Sequence, residues 1–496
     1  MKIMKKCYMQ FLFLILSVTV VSEARASEVI VRLFDLRDCS VESLLAEGYD
    51  IASVNRSENY VDVVIDESYL STLEKKATSF RIMPESWVRL LPENTDDAGY
   101  YLDPAETLAF WTTLATTYPD LVQSPVTQGQ SFQNRDIYSI RITSSSGPSD
   151  KPAIFFNSLI HSREPITNSV LADFGMWLAS NYDSDTMAKH ILDNSEIYLM
   201  PIVNPDGYAD NMTGGNMQRK NMNYTTPVTS SGIDLNRNFG YQWGINNSGS
   251  SPNPLDETYR GSAAFSEKET QVIRSFTNTI DPIGSMHYHS YGGMVIYSWN
   301  YENQPTPHQS TFQSWASAMT AQNGYQYGRC GELMYPANGD ACDWSYESSE
   351  HQTCMAFGVE VDDSGFWGSQ NDTTKIAELC AECRFMNILL CMNLLASVGI
   401  ENNAEASGTG ILSVTGISPN PVMNSMNFSA SIPSGSLAVT IFDLSGRRID
   451  QFDVENLEAG NCRLNWAVPA DAPNGVYMLM IESGNQITGS RFTVLR

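Results

Sequence analysis

Histidine is scarce in this 496-residue chain, which has six, and basic residues are outnumbered: 30 Lys and Arg stand against 56 Asp and Glu, for a formal net charge of −26. A surface of that sign repels polyphosphate and anionic headgroups, which excludes nucleic acid and anionic membrane as partners. Long apolar runs are missing too. The run from Tyr8 to Val21 falls short of the roughly 20 residues that a spanning helix needs, and the stretch from Phe385 to Ile400 carries Asn387 and Asn393 and reads as a buried helix, so no stable membrane span is expected. Low-complexity segments and internal repeats are absent. What remains, 42% hydrophobic, 17% charged and 10% aromatic residues, is the composition of a globular protein, and the length suggests two to four folding units.

The first 26 residues read as a secretory leader. Met1-Lys-Ile-Met-Lys-Lys6 is a basic region, the apolar run follows, and Ala24-Arg25-Ala26 supplies the small-x-small cleavage pattern. Its removal takes away Lys2, Lys5, Lys6 and Arg25 against one acid, Glu23, and leaves an exported chain more acidic still. Nine cysteines include Cys7 in the leader, and six of the others (Cys330, Cys342, Cys354, Cys380, Cys383, Cys391) crowd into one stretch. An oxidising compartment makes disulfides the expectation there, although six cysteines allow fifteen pairings.

Residues 27–95 alternate β-rich runs (Val29 to Leu33, Tyr60 to Ile65) with a helical stretch (Ser68 to Ala77), a small α+β unit that is either a prosegment or a plain accessory domain. In residues 96–402, helical patterns such as Pro104 to Tyr118 and Ser266 to Thr279 alternate with apolar runs such as Ala153 to Ile160, Ile197 to Val203 and Met294 to Trp299. That alternation predicts an α/β fold, a mixed, mostly parallel sheet with helices on both faces. After the polar linker Glu401 to Gly410, residues 411–496 hold short runs split by Gly, Pro and Asn turns, which fits a small antiparallel β-sandwich.

The strongest chemical signal is Asn157-Ser-Leu-Ile-His161-Ser-Arg163-Glu164-Pro165, where a buried strand delivers an imidazole and a carboxylate three residues apart into a loop. Both suit Zn²⁺, which in a catalytic site takes three protein ligands and keeps a fourth position open. The third ligand lies elsewhere, and Met286-His287-Tyr-His289-Ser290-Tyr291 offers two candidates whose side chains share one face of an extended segment.

With Asn236-Arg237, His289-Ser290-Tyr291, Tyr335 and Glu360 following in that order, the chain resembles the zinc carboxypeptidase family that includes the pancreatic A and B enzymes, over roughly residues 100 to 395. The resemblance implies His161, Glu164 and His289 as zinc ligands, with His287 a structural neighbour. It implies Asp234 as the acceptor that orients His161, and Asn236 and Arg237 as the grip on a substrate's free carboxylate, where a guanidinium can hold both oxygens. Arg219 would polarise the scissile carbonyl, and Tyr335 would close over the substrate. Glu360 would take a proton from the attacking water and later return one to the leaving amine. Arg163 matches a position that touches the peptide further from the scissile bond.

In the pocket for the terminal side chain, Cys342 falls where the family carries its main selectivity residue, neither apolar as in A-type enzymes nor acidic as in B-type ones. Asp340 either gives that pocket a negative charge that admits Lys or Arg, or shapes the loop; mixed specificity with basic residues accepted is the expectation. The tail blocks Ile417-Ser-Pro-Asn-Pro421, Val439 to Arg447 and Asn474 to Leu479 resemble the C-terminal sorting domain of bacterial type IX secretion cargo, which implies secretion machinery as a partner. The expectation is a secreted zinc exopeptidase acting on peptide or protein C-termini. Two rivals stand beside it: a zinc amidase or deacylase on the same scaffold, and a non-catalytic peptide-binding module.

Overall fold

The computed structural model describes residues 28–37, 39–84, 87, 101–214, 217–224, 232–321, 323–403, 412–419, 422–432, 435–443, 448–457, 460–470, 472–483 and 486–495. The leader, most of the join before residue 101 and the linker residues 404–410 lie outside the described residues.

The N-terminal unit is an antiparallel sheet of β1 (Glu28–Leu36), β2 (Asp50–Asn55), β3 (Tyr60–Asp66) and β4 (Ala77–Ile82), in the order β2-β3-β1-β4. Helix α1 (Val41–Ala46) starts at a Ser40 capping box, and α2 (Leu70–Leu73) lies inside the predicted helical stretch. The unit's inner face, with Val31, Leu33, Ile51 and Val63, shares a continuous core with Met294, Ile296, Leu333, Met334 and Tyr335 of the central region.

The central region is built on eight strands: β5 (Val126–Gln130), β6 (Asp136–Ile142), β7 (Ala153–Asn157), β8 (Glu196–Met200), β9 (Gly284–Ser290), β10 (Met294–Tyr297), β11 (Gln326–Gly328) and β12 (Met355–Val361). Their order is β11-β10-β12-β9-β7-β8-β6-β5. The junctions β10/β11, β12/β9, β9/β7 and β7/β8 are parallel and the other three antiparallel, so the sheet is mixed and mostly parallel, as the alternating pattern predicts. Strands β7 and β9 are buried along their whole lengths; β7 is correspondingly almost wholly apolar, whereas β9 carries His287 and His289 into the interior. The helices are α3 (Pro104–Thr117), α4 (Ile166–Asn181), α5 (Thr186–Asn194), α6 (Pro205–Gly214), α7 (Lys268–Ile280), α8 (Gln309–Met319), α9 (Cys330–Leu333), α10 (Ala341–Tyr346) and α11 (Thr373–Asn403). Asp103 and Glu106 form a capping box at α3, with Pro104 opening it. The span Thr373–Val398 is long and apolar enough to cross a membrane by length and composition, and 61% of its apolar window is buried inside the protein.

The tail forms two antiparallel sheets. One holds β13 (Ser413–Ser418), β14 (Ser425–Ile432) and β17 (Gly460–Ala467); the other holds β15 (Gly435–Asp443), β16 (Arg448–Leu457), β18 (Gly475–Ser483) and β19 (Gln486–Val494). Alternate residues of β14 point inward, and Phe428, Trp466, Tyr477 and Phe492 close a core of their own.

The expected disulfides are not there. Among the described residues, Cys330, Cys342, Cys354, Cys380, Cys383, Cys391 and Cys462 carry free thiols. Cys380 and Cys383 lie on one face of α11, where side chains three apart have Cβ atoms about 5–6 Å from each other, beyond the roughly 3.5–4.5 Å that a bridge needs. The six clustered cysteines are buried singly in the core, where a thiol packs as a small apolar group.

Candidate active site

Strand β7 ends at Asn157, and the chain turns through Leu159, at φ 51°, before α4 begins at Ile166. That turn carries His161 and Glu164 to the carboxyl end of the parallel strands, where open α/β sheets place their ligands. His289 arrives from the neighbouring β9, and Glu360 sits beside it across the β9/β12 junction, in register with it. His161, Glu164 and His289 are at most 5% exposed. Their donor atoms converge: His161 Nδ1 is 2.9 Å from Glu164 Oε1, and His289 Nδ1 is 3.1 Å from His161 Nδ1 and 3.2 Å from Glu164 Oε2. Ligand atoms of all three lie within 4.8 Å of one another. Two imidazole nitrogens and a carboxylate turned on one point are a donor set for a borderline divalent cation, so the residues fit Zn²⁺. Burial alone would raise the Glu164 carboxyl, but the imidazoles of His161 and His289 bring it down to about 2.

Behind this cluster, Asp234 Oδ1 lies 3.2 Å from His161 Nε2, and Arg219 Nη2 donates to Asp234 Oδ2 at 3.0 Å. Asp234 is fully buried; burial would raise its carboxyl, yet Arg219, Arg237 and His161 hold it well below the usual range. Arg219 also points Nη1 at His161 Nδ1, 3.2 Å away. Asn236 anchors by its Oδ1 to the Ala341 backbone N–H at 2.9 Å and sets its Nδ2 3.3 Å from His289 Nε2. Arg237 donates from Nη1 to the Asn236 carbonyl, while its buried Nε has no partner among the described residues.

A cleft of about 570 Å³ opens on these groups and is lined among others by Tyr335, Asp340, Cys342 and Glu360. Enclosure, and then the neighbouring Glu164 charge, push Glu360 well above the usual carboxylate range against the pull of Arg219, Arg237 and Arg163. Asp340 caps α10: its Oδ1 accepts from the N–H groups of Cys342 and Asp343 and from Asn300 Nδ2, leaving Oδ2 buried without a partner among the described residues. Arg163 stands apart from the cleft's lining. It is 1% exposed, lies over the Phe366 ring at 4.3 Å and makes a two-pronged ion pair with Asp50 of β2. His287 is the other histidine of its strand; it lies on the same face but is held back from the ligand cluster by hydrogen bonds with Asn157, Ser285 and Ser345, and burial lowers it to about 3.

Sequence reasoning missed Ile51 and Ala52, which enter the cleft wall from the N-terminal unit, and also Asn300, Cys330 and Met334. No local pattern marks any of them.

Comparison with known proteins bears on the same residues. Residues 107–383 match the zinc carboxypeptidase family, and residues 416–495 match the secretion system C-terminal sorting domain. Carboxypeptidase A1 of Rattus norvegicus is 31% identical over 324 residues, 61% of this chain and 75% of its own length. Carboxypeptidase B of the same organism is 32% identical over 286 residues, 56% and 67% respectively. Among solved structures, thrombin activatable fibrinolysis inhibitor superposes with a TM-score of 0.63 at 21% identity, covering 74% of this chain and 99% of that one. Carboxypeptidase A from Helicoverpa armigera gives 0.63 at 20% identity, covering 74% and 98%; at such identities the likeness establishes the fold. A match across more than half of the chain, and a relative above 30% identity along three quarters of its length, point to one group: this chain belongs to the zinc carboxypeptidase family and is a peptide hydrolase of that family.

Proposed function

We propose that the protein is an exported exopeptidase that releases single residues from the C-termini of peptides. The observation that carries this reading is what shares the cleft with the metal ligands: Asn236, Arg237 with its unpartnered Nε, and Tyr335 all line it. Such a lining suits a free carboxylate, which a guanidinium grips with two oxygens. His161, Glu164 and His289 would hold the zinc. Bound there, zinc supplies a Lewis acid that polarises a carbonyl and makes water more acidic. Arg219 would supply a fixed cation to steady negative charge growing on the scissile carbonyl oxygen. Glu360, with its raised carboxyl, is suited to take a proton from the attacking water and pass one to the departing amine. Asp340 Oδ2 gives the terminal side-chain pocket an unpaired acceptor, which favours admission of Lys and Arg beside apolar residues; Asp340→Ala is expected to lower the preference for Lys over Leu.

Residues 27–95 fit a prosegment. Asp50 pairs with Arg163, Arg56 Nη2 donates to the Met334 carbonyl at 2.7 Å, and Ile51 and Ala52 line the cleft, contacts that would let the unit cover the approach to the zinc site. The leader and the sorting-type tail support export through a bacterial secretion system, with the tail as its address.

The test is chromatographic. Zinc-loaded protein freed of residues 27–95 is given peptides that differ in the last residue, with and without chelator, beside Glu360→Gln. Stepwise loss of C-terminal residues is expected, abolished by chelator and reduced about 10²–10⁴-fold by the substitution. Release of nothing from any free-carboxylate peptide would overturn the reading in favour of the amidase.

A further inference from the structure

Three of the cleft's groups, Arg219, Asn236 and Arg237, and the buried Asp234 that pairs with Arg219, lie outside the eight-stranded sheet, on segments with no ladder to hold them. Arg219 precedes Asn221, and Asp234 follows Gly232, on two stretches that lie side by side. Ser162 N–H donates to the Arg219 carbonyl at 3.2 Å and Asp234 N–H to the Tyr259 carbonyl at 2.9 Å, and the two stretches are joined backbone to backbone through Asn221. Asn221 N–H donates to the Ile233 carbonyl at 3.1 Å, and Asn221 Oδ1 accepts from Ile233 N–H at 2.9 Å. Gly232 lies against it with φ +98°, where a Cβ would come within 1.9 Å of the Asn221 carbonyl oxygen. Asn221 Nδ2 then reaches outward to the first turn of α7, donating to Glu267 Oε2 at 2.8 Å and Glu269 Oε2 at 3.2 Å.

The same turn holds the carboxylate grip from the other side. Asn238 directly follows Arg237; its Oδ1 accepts from Glu267 N–H at 3.2 Å and Thr270 Oγ1 at 2.8 Å. Its Nδ2 donates to the Arg260 and Ala263 carbonyls and to Ser266 Oγ at 2.9–3.0 Å. Asn221, Asn238, Glu267 and Glu269 are all at most 4% exposed. Acids at the start of a helix are favoured by its positive end, and Glu269 is further fixed by the Phe132 N–H at 2.9 Å. None of these residues lines the cleft.

We infer that Asn221 and Asn238 are positioning residues for the reaction, hung on the buried Glu267–Glu269 turn of α7: Asn221 aims Arg219 and Asp234, and Asn238 aims Asn236 and Arg237. The inference rests on the roles proposed for Arg219 and for the Asn236–Arg237 pair, and it divides the two amides kinetically. Asn221 serves a group used as charge develops, so its loss lowers kcat; Asn238 serves the grip on the bound carboxylate, so its loss raises KM.

Asn221→Asp keeps the acceptor for Ile233 and turns the donor into a carboxylate facing two others. In the zinc-loaded, proteolytically activated chain, kcat is expected to fall about 100-fold, as an ångström of misplacement does, with zinc content by metal analysis unchanged. Adding Glu269→Gln restores a donor on the far side and is expected to recover at least about tenfold of that loss. Asn238→Asp is expected to raise KM about tenfold with kcat within about twofold. Equal losses of active enzyme in both single variants with no recovery in the double one, or native kcat and KM in both, would overturn the inference. Arg219→Ala separates the two levels: if it leaves kcat intact, the role proposed for Arg219 fails, whereas a crippled Arg219→Ala beside a native Asn221→Asp sinks only the positioning claim.

Discussion

Two β-rich units flank the central sheet, and they join it in opposite ways. The N-terminal unit's interior runs on into the central region: its buried face is continuous with Ile296, Met334 and Tyr335 of the cleft, and its Asp50 is the partner of the buried Arg163. The tail closes its own core around Trp466, Phe428 and Phe492 and lends the central core chiefly Phe442, with Met480 against it. On the prosegment reading proposed above, a unit that shares a core with the cleft is displaced to open it. A unit with its own core can be carried along and lost without consequence for the chemistry.

The largest effect should follow from cutting away residues 27–95. Docking worth about 2.8 kcal/mol holds an opened state to roughly one part in 10², so on the prosegment reading peptidase rate should rise by about 100-fold or more on release. An uncut chain as active as the cut one would break the contrast. Next, Asp50→Ala leaves Arg163 buried without its anion and should destabilise the docked unit by about 3–5 kcal/mol, read as a lower denaturant midpoint and faster proteolytic release. Trp466→Ala should cost the tail a similar or smaller amount, about 3–5 kcal/mol, in a transition separate from that of the central region; a single shared transition would argue against an independent tail core.

Acid sharpens the contrast further. At Asp50, burial would raise the carboxyl, but Arg163 outweighs it and the value lies below the ordinary one. The stability it contributes is therefore complete above the unfolded value of about 3.9 and lost as pH falls through the lower folded one. Release of the N-terminal unit, followed by protease susceptibility, should stay flat from neutral pH down to about 4 and quicken below it, and Asp50→Asn should remove that dependence. The smallest effect belongs to deletion of residues 404–496, which should leave kcat/KM within about twofold.

Legibility in the sequence followed locality. The His161–Glu164 pair could be read because one strand, one turn and one helix deliver both groups, and the alternating pattern gave away the mixed sheet because strand and helix periods are local. Asp50, Ile51 and Ala52 could not be read as cleft neighbours: they come from a separate unit, and nothing in the run Asp50–Asn55 differs from an ordinary edge strand. The disulfide expectation failed for the same reason. Compartment chemistry says whether thiols can pair, but only the distance between Cβ atoms says whether they meet. Asn221 and Glu269 were equally silent, since an asparagine after a lysine and a glutamate in a helix's first turn are what any solvated segment offers.

The register of His289 against Glu360 has one more consequence. Parallel strands lie about 4.8 Å apart, and neither partner can drift along its strand without breaking the ladder. The sheet is thus a ruler between a metal ligand and the carboxylate proposed to move the proton, while the residues that choose a substrate ride on loops beyond its edge. The Tyr335–Asp340 loop, proposed to shape selectivity, can be rewritten without recalibrating that ruler.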